Sequence, residues 1–528
     1  MDKHFEISIW RNRLCLRPID GVYWLLLFVF GITAIFFMNF LTPDGMGLVN
    51  DSVGYIGGAR NILAGKGYSR TVGDGSVTPI THFPPFFSVV LAAVSSVGIE
   101  TISASRWVVL LLFGANAVLI GVLIRRVTRN RLAGLIGALL FILSEPFLRV
   151  HSFILSEPLY IFLTLLVLLL LINYQDKDRW SYLAVAGLGS SLALLTRYVG
   201  AALYLTAVVV IWYHCGSWSK RLRHGSIYGA ASFPLAAAWV VRGILHSGNA
   251  TNRPFIYHPV EQDVIREGLI NFWGWLLPEY GGYLERFYFL WLGLILLLLL
   301  GLAVVIGLML GKPRVSTDEH SMPALVIMLH AVCYPAVVLF SMTFFDDSTR
   351  FEQRILAPFT VSVLALLVWG GCWAWEQSKR IGRIFILIIC MGLSVFIVED
   401  TMDTVKYLRM GGQGFADKRW QESELIQVLK TLPKDKVIFS NRITATYLLA
   451  DRPTFIIPWK YDPVSGLEEP SYQKDIEKDR QMVLEGKALI LIFDYDDQVE
   501  SGDVPIIELT RNLPVYQRCS DGVIFGIR

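Results

Sequence analysis

The chain has 528 residues, of which 54% are hydrophobic and 17% charged, and its mean hydropathy is +0.50. A water-soluble globule of this composition would expose large apolar patches, so the composition excludes an ordinary soluble domain and predicts a polytopic membrane protein. The 47 basic and 44 acidic residues nearly cancel, and no Lys/Arg tract interleaved with aromatics occurs, which argues against nucleic acid as a partner. The six cysteines show no CxxC spacing, so we expect neither a disulfide framework nor a cysteine metal site.

Long apolar runs predict the membrane spans. The first, at 22–41, has about the 20 residues that a span needs, and no small-residue cleavage site follows it, which indicates a retained helix. The further predicted spans are 105–125, 131–148, 156–174, 180–196, 199–214, 226–245, 287–311, 322–343, 354–375 and 381–398. The sequence therefore predicts a polytopic α-helical membrane protein with about eleven transmembrane helices.

Basic residues predict the orientation of these spans, because loops retained in the cytoplasm are enriched in Lys and Arg. The short segments on one side hold 18 basic residues: Lys3, Arg11, Arg13, Arg17, Arg125, Arg126, Arg129, Arg131, Lys177, Arg179, Lys220, Arg221, Arg223, Lys312, Arg314, Lys379, Arg380 and Arg383. The loops on the other side are longer and carry fewer. We expect a cytoplasmic N-terminus, with everything after about residue 400 outside the cytoplasm.

The first external loop, 42–104, is the polar exception in an apolar half of the chain. Its segment 86–98 is apolar, but at about 13 residues it is too short to cross, so we expect a re-entrant or interfacial helix. Residues 51–63 carry apolar side chains at helical spacing and predict a second interfacial helix. Asn50 or Asp51 could simply cap this helix, or Asp51 could be a functional carboxylate.

The pattern changes after residue 400. Short apolar runs at 437–440, 454–457, 488–493 and 523–527 predict buried strands, and the segments 419–432, 443–450 and 472–486 predict helices. This alternation predicts a small α/β extracytoplasmic domain, 401–528, beside a membrane domain, 1–400. The domain lacks a GxGxxG or GKS/T turn, so we expect a lid or docking platform rather than a nucleotide site.

The external loops resemble those of a known superfamily. Asp51 with Tyr55, the GKGY that contains Lys66, and the HxPP that begins at His82 resemble the first external loop of the GT-C polyprenyl-phosphate-sugar glycosyltransferases. The branch they resemble holds the protein O-mannosyltransferases and the lipid A aminoarabinose transferase. Many of its protein-modifying members have an Asp-Glu pair where this chain has Asn50 and Asp51, which weakens the prediction of a protein acceptor.

Three later stretches extend the resemblance over the membrane domain. HSFILSEPLYIF at 151–162 is similar to the family's second external loop, in which an acidic residue opens a helix. LLTRYVG at 194–200 places Arg197 at an outer helix end, and RFEQRILAP at 350–358 resembles an Arg-rich start of a late helix. The arginines could instead meet only lipid head groups, and His82 could be an ordinary loop hydrogen bonder.

The second acidic residue has two candidates, because ILSEP occurs twice, at 142–146 and 154–158. We prefer Glu157 to Glu145, since the helix that starts at Glu157 is cleaner. Glu145 falls just inside the predicted third helix. Glu157 could also be only a first-turn acid favoured by the helix dipole.

The resemblance implies inverting transfer of a sugar from a polyprenyl-phosphate donor to a lipid, glycan or protein hydroxyl or amine, in the bacterial inner membrane. It implies Asp51 as general base, with Glu157 orienting the acceptor, and membrane lipids as surroundings. The implied substrate-binding residues are Tyr55, Lys66, His82, Arg197, Arg350 and Arg354. The resemblance requires no cofactor, although the two carboxylates could hold a divalent metal ion. The alternatives are a lipid or solute transporter or flippase of the cell envelope, and a non-catalytic assembly scaffold.

Overall fold

The structure is a computed structural model that describes residues 18–275, 321–346, 349–462 and 466–527. The predicted span at 287–311 lies outside these residues, as do Lys312 and Arg314 and the basic residues of the N-terminal tail, Lys3, Arg11, Arg13 and Arg17. Every other predicted span overlaps a helix.

The membrane domain consists of helices that follow one another along the chain. They are α1 (Pro18–Leu41), α2 (Asn50–Leu63), α3 (Phe86–Ser95), α4 (Thr101–Thr128), α5 (Arg131–Leu143), α6 (Glu145–His151), α7 (Glu157–Lys177), α8 (Trp180–Leu194), α9 (Ala201–His214), α10 (Trp218–Ser247), α11 (Gln262–Gly274), α12 (Ser321–Phe344), α13 (Gln353–Gln377) and α14 (Arg380–Leu408). A short hairpin, β1 (Ser69–Thr71) antiparallel to β2 (Val77–Pro79), lies between α2 and α3.

Seven helices of the described part are long and apolar enough to span a membrane: α1, α4, α7, α10, α12, α13 and α14. The prediction of a multi-pass α-helical membrane protein is confirmed. The count of about eleven stays a prediction, because α8 and the segment around α9 are shorter apolar helices. The expected short helices of the first external loop are present as α2 and α3, and α3 has only 10 residues.

The third predicted span, 131–148, is not a continuous helix. It divides into α5 and α6, which meet at an angle of 59°. Pro146 lacks the N–H that a continuous helix would need at that position, and Ser144 takes an extended backbone with ψ of 130°. Glu145 therefore opens a separate helix instead of lying inside the third one.

Charged residues join the first helices at one end of the bundle. Asp20, in the first turn of α1, forms ion pairs with Arg125 at 2.8 Å and with Arg131 at 2.7 Å. Nearer the middle, Gly31 and Gly114 let α1 and α4 approach closely, since a Cβ on Gly114 would lie 2.6 Å from the Gly31 carbonyl oxygen. The other end of α1 leads directly into the first external loop.

The C-terminal domain is a five-stranded mixed sheet with helices. Its elements are α15 (Lys418–Gln421), α16 (Glu424–Thr431), β3 (Val437–Ser440), α17 (Ile443–Ala450), β4 (Phe455–Ile456), α18 (Tyr472–Leu484), β5 (Ala488–Phe493), α19 (Tyr495–Glu500), α20 (Val504–Thr510), β6 (Val515–Cys519) and β7 (Gly522–Phe525). The strand order is β4-β3-β5-β7-β6, and β3 is parallel to β4 and β5, whereas β7 is antiparallel to β5 and β6. All four predicted strands are present. The helix that contains residue 400, α14, continues to Leu408.

Candidate active site

A cavity of about 460 Å³ lies where the ends of several segments meet. Its walls are the first turn of α2, the turn at 82–84, the break between α8 and α9, the end of α12 and the start of α13. Six of the predicted site residues line it: Asp51, Tyr55, His82, Arg197, Arg350 and Arg354. The fold therefore gathers side chains from loops that are far apart in the chain.

Asp51 lies in the first turn of α2, but it does not cap the helix. The N-cap residue is Val49, and its backbone N–H donates to Ser52 Oγ at 3.0 Å, so Asp51 takes no part in the cap. The Asp51 carboxylate instead faces the cavity and forms an ion pair with the Arg354 guanidinium at 3.0 Å, across 303 positions of sequence. The capping interpretation is therefore wrong for Asp51, and the carboxylate is available to the cavity.

Glu157 and Arg197 form a buried ion pair behind the cavity wall. Glu157 is fully buried in the first turn of α7, and its Oε1 lies 2.7 Å from Arg197 Nη1. The same guanidinium nitrogen donates to Ser156 Oγ at 3.2 Å, and that hydroxyl lies 3.0 Å from the Tyr55 hydroxyl. Burial alone would lower the pKa of Arg197, but the Glu157 carboxylate raises it above its ordinary value, so the guanidinium stays charged. Arg197 thus points inward and not to a membrane surface.

The two later arginines differ in their partners. Arg354, on the first turn of α13, also donates from Nε to Glu352 at 3.1 Å, so its guanidinium lies between two carboxylates. Arg350 is exposed at the cavity rim and has no ion pair with any residue in the described ranges. An unpaired guanidinium beside a paired one is a suitable arrangement for an incoming phosphate, which the planar fork binds through two hydrogen bonds.

His82 forms the opposite wall of the cavity together with two residues that the sequence did not indicate. Its Nε2 lies 3.3 Å from Arg253 Nη2, and Arg253 Nη1 forms an ion pair with Asp346 at 2.6 Å. Burial, aided by the positive charge of Arg253, lowers the pKa of His82 to about 4. His82 is therefore neutral at physiological pH and accepts a hydrogen bond from Arg253.

Known proteins share this architecture. Residues 80–243 match the family model of dolichyl-phosphate-mannose-protein mannosyltransferases. No curated protein sequence matches the chain. ArnT from Cupriavidus metallidurans in the apo state is similar in structure, with a TM-score of 0.57, 14% identity, and coverage of 96% of this chain and 98% of that one. The same protein bound to undecaprenyl phosphate gives a TM-score of 0.53, 15% identity, and coverage of 95% and 97%.

A third solved structure is the Archaeoglobus fulgidus oligosaccharyltransferase tethered with an acceptor peptide that contains the NVT sequon. It gives a TM-score of 0.55, 11% identity, and coverage of 95% of this chain and 74% of that one. The chain has the GT-C fold. The resemblance predicted from the loop motifs and the predicted fold class are confirmed, and the matched family and structures are glycosyltransferases, which supports the predicted enzyme class.

Two candidates from the sequence lie away from the cavity that contains Asp51. Lys66 is exposed in the turn after α2 and does not line the cavity. Glu145 pairs with Arg149 one helical turn further on, beside a separate cavity of about 590 Å³. Neither side chain reaches the Asp51 carboxylate.

The two carboxylates that the sequence proposed for the site are each paired with an arginine. Asp51 faces Arg354, and Glu157 faces Arg197. Within the described ranges, no three His, Cys, Asp or Glu side chains cluster in a way that could hold a metal ion.

Sequence reasoning missed Arg253, Asp346 and Glu352, which also line the cavity. Arg253 belongs to the loop between α10 and α11, and Asp346 lies two residues after the end of α12, so no spacing pattern marks either one. Glu352 lies within the RFEQR stretch and could have been singled out, because it is the acidic residue between the two candidate phosphate-binding arginines.

Proposed function

We propose that this membrane protein transfers a sugar from a polyprenyl-phosphate donor to a hydroxyl or amine outside the cytoplasm, with inversion at the anomeric carbon. The observation that carries the proposal is the cavity in which the Asp51 carboxylate faces the arginines at the start of α13. The match to the mannosyltransferase family and the likeness to ArnT bound to undecaprenyl phosphate support the donor class.

Asp51 is the general base of this proposal. As the acceptor oxygen or nitrogen bonds to the anomeric carbon, its proton passes to the Asp51 carboxylate. The bond between the anomeric carbon and the phosphate oxygen breaks, and its electron pair leaves with the phosphate. The first turn of α2 suits a carboxylate, since the positive end of the helix dipole stabilises a negative charge there.

Arg350 and Arg354 bind the leaving phosphate. Arg350 is unpaired among the described residues, and Arg354 is held by Asp51 and Glu352 until the donor arrives. A phosphate bound to Arg354 replaces Asp51 as its partner, which leaves the carboxylate free to take a proton. Arg197 is already occupied by Glu157, so its role is to position Ser156 and Tyr55.

The apolar part of the cavity fits the polyprenyl tail. Val337, Val338 and Phe340 of α12 line one side, and Val199 and Ala201 at the start of α9 line the other. Phe340 is 53% exposed on the outer surface of the bundle. A hydrocarbon chain can therefore lie between α9 and α12 while its phosphate reaches the arginines.

The cavity faces outward in this proposal. Asp20, with its partners Arg125 and Arg131, marks the start of α1, whereas Asp51 comes after the other end of that helix. The two ends of α1 are about 33 Å apart. Clustered arginines favour the cytoplasmic side. A reporter enzyme fused after residue 408 is therefore expected to be active only outside the cytoplasm, and activity inside the cell would contradict the orientation.

The decisive experiment replaces Asp51 with Asn, which keeps the volume but cannot accept the proton. Purified protein is incubated with radiolabelled undecaprenyl-phosphate sugars, one neutral hexose and one aminopentose, and with cell-envelope membranes as acceptor. Removing a general base costs about 10² to 10⁴ in rate, so we expect at most about a hundredth of the wild-type transfer, with folding and undecaprenyl phosphate binding unchanged.

Wild-type transfer by Asp51→Asn, together with an inactive Glu157→Gln or Glu145→Gln, would assign the base to the second loop instead. Label that crosses vesicle membranes without forming a glycosidic product would favour a transporter.

A further inference from the structure

We propose that the C-terminal domain supports the candidate active site from outside the cavity, because its helix α17 holds α2, and with it Asp51, in place. Thr444 is the positioning residue. The inference rests on the proposed role of Asp51, and it assigns to the domain a function beyond that of a lid or docking platform.

The contact lies next to the proposed base. Thr444 Oγ1 donates to Asn50 Oδ1 at 2.8 Å, and Asn50 precedes Asp51 in the first turn of α2. Within the membrane domain, Ser52 Oγ accepts from the Val49 N–H at 3.0 Å, and the bond from Thr444 adds a second fixed point from the C-terminal domain. Thr444 is 1% exposed, so its hydroxyl is shielded from solvent, whereas Asn50 lies at the exposed end of α2.

The contact continues along both helices. The Tyr447 ring lies beside Gly57, and a Cβ added at Gly57 would be 3.4 Å from the Tyr447 hydroxyl. The centre of the same ring is 5.4 Å from the guanidinium carbon of Arg60. Asp451, just after α17, pairs with the same guanidinium at 3.5 Å. Residues 444 and 447 share one face of α17, with Asp451 directly after it, and residues 50, 57 and 60 share one face of α2. The two helices therefore lie side by side over most of their length.

The backbone before α2 is held on two sides. Gly47 donates to Ser152 at 2.7 Å and accepts from Ile154 at 2.9 Å, which ties it to the segment before Glu157. On its other side, Leu48 accepts a hydrogen bond of 2.8 Å from Phe415, in the segment that leads into the C-terminal domain. The segment before α2, the segment before Glu157 and the start of the C-terminal domain therefore meet at Gly47 and Leu48.

This junction depends on glycine. Gly414 has φ of +58°, and a Cβ there would lie 2.1 Å from the Leu48 carbonyl oxygen. Leu448 of α17 is 7% exposed and belongs to the hydrophobic core of the membrane domain. The domain is thus packed against the catalytic helix, and not only tethered to it.

Positioning of this kind affects turnover more than binding. A misplacement of about 1 Å can cost roughly 10² in rate, because the proton acceptor must lie in line with the acceptor nucleophile. The donor phosphate is bound by Arg350 and Arg354, which do not contact α17. A variant that loosens α2 is therefore expected to lower kcat and to leave the donor KM unchanged.

The test replaces Thr444 with Val, which has the same shape but no hydroxyl. We expect a loss of about tenfold in kcat, an unchanged donor KM, and recovery to within about twofold by Thr444→Ser. Thr446→Val is the matched control, because the Thr446 hydroxyl bonds only within the domain, to Ile443 and Thr454. Hydrogen exchange at residues 50–55 is measured on the same proteins, and it should increase in Thr444→Val alone.

Normal kcat and normal exchange in Thr444→Val, with Asp51→Asn inactive, would overturn the inference. So would an equal loss of kcat in Thr446→Val, which would indicate general damage to the domain. If the wild type transfers no sugar, the proposed function fails, but the exchange at residues 50–55 still shows whether Thr444 holds α2.

Discussion

The two ILSEP segments have the same five residues but different surroundings. In both, the glutamate is the first residue of a helix, α6 at Glu145 and α7 at Glu157, with proline directly after it. Glu145 pairs with Arg149 of its own helix, and that arginine side chain is 36% exposed. Glu157 pairs with Arg197 from a distant segment and is fully buried at the back of the candidate site.

The difference shows that a local motif decides local structure and little more. Ser-Glu-Pro starts a helix at both places in this chain, because proline suits the first turn and the acid suits the positive end of the dipole. Whether the glutamate then serves a site depends on which cation the fold brings to it. Substitutions at the two positions can test this comparison directly.

The largest effect is expected for Glu157→Gln. The change leaves the Arg197 guanidinium buried without its counter-charge, and breaking a buried pair costs about 3–5 kcal/mol. We expect sugar transfer to fall by at least about 100-fold. Transfer is measured with the undecaprenyl-phosphate sugars used for Asp51→Asn, and a melting curve distinguishes an inactive folded protein from an unfolded one. Near-normal transfer by a folded Glu157→Gln variant would remove the distinction between the two segments.

An intermediate effect is expected for Arg197→Lys compared with Arg149→Lys. The lysine at 197 keeps the charge, but its ammonium does not reach as far as the guanidinium Nη1, so its contacts to Glu157 and Ser156 lengthen and we expect a loss of roughly tenfold in kcat. The lysine at 149 replaces a partly exposed partner of Glu145, where we expect no change beyond about twofold. Equal rates in the two variants would indicate that Arg197 provides charge alone.

The same substitution at Arg350 and Arg354 is expected to weaken donor binding, because the bidentate contact to phosphate is lost.

The smallest effect is expected for Glu145→Gln. Its partner Arg149 stays in contact with solvent and also stacks 4.7 Å from the Tyr407 ring, so the guanidinium is not left uncompensated. We expect transfer within about twofold of wild type and a stability change below about 1 kcal/mol. The control is Glu157→Gln, assayed in parallel. An inactive Glu145→Gln variant would contradict the prediction and would indicate that the cavity beside Glu145 takes part in the reaction.

The sequence predicted most helices because a membrane span needs a long apolar run. It missed the break at Ser144, since the run around it is equally apolar on both sides and only Pro146 marks the interruption. It also missed β6, because Val515–Cys519 is an edge strand with polar, half-exposed side chains and lacks the apolar run that marks a buried strand.

The sequence by itself determined that this is a multi-pass membrane protein, and its loop motifs identified six residues that line one cavity. These features are local, because composition and short-range spacing suffice to define them. Only the tertiary structure decided that Asp51 faces Arg354, that Glu157 rather than Glu145 pairs with Arg197 behind the cavity, and that Thr444 bonds to Asn50 of α2. Each of these contacts joins residues that are far apart in the chain, and such contacts depend on how the helices pack, which no local pattern encodes.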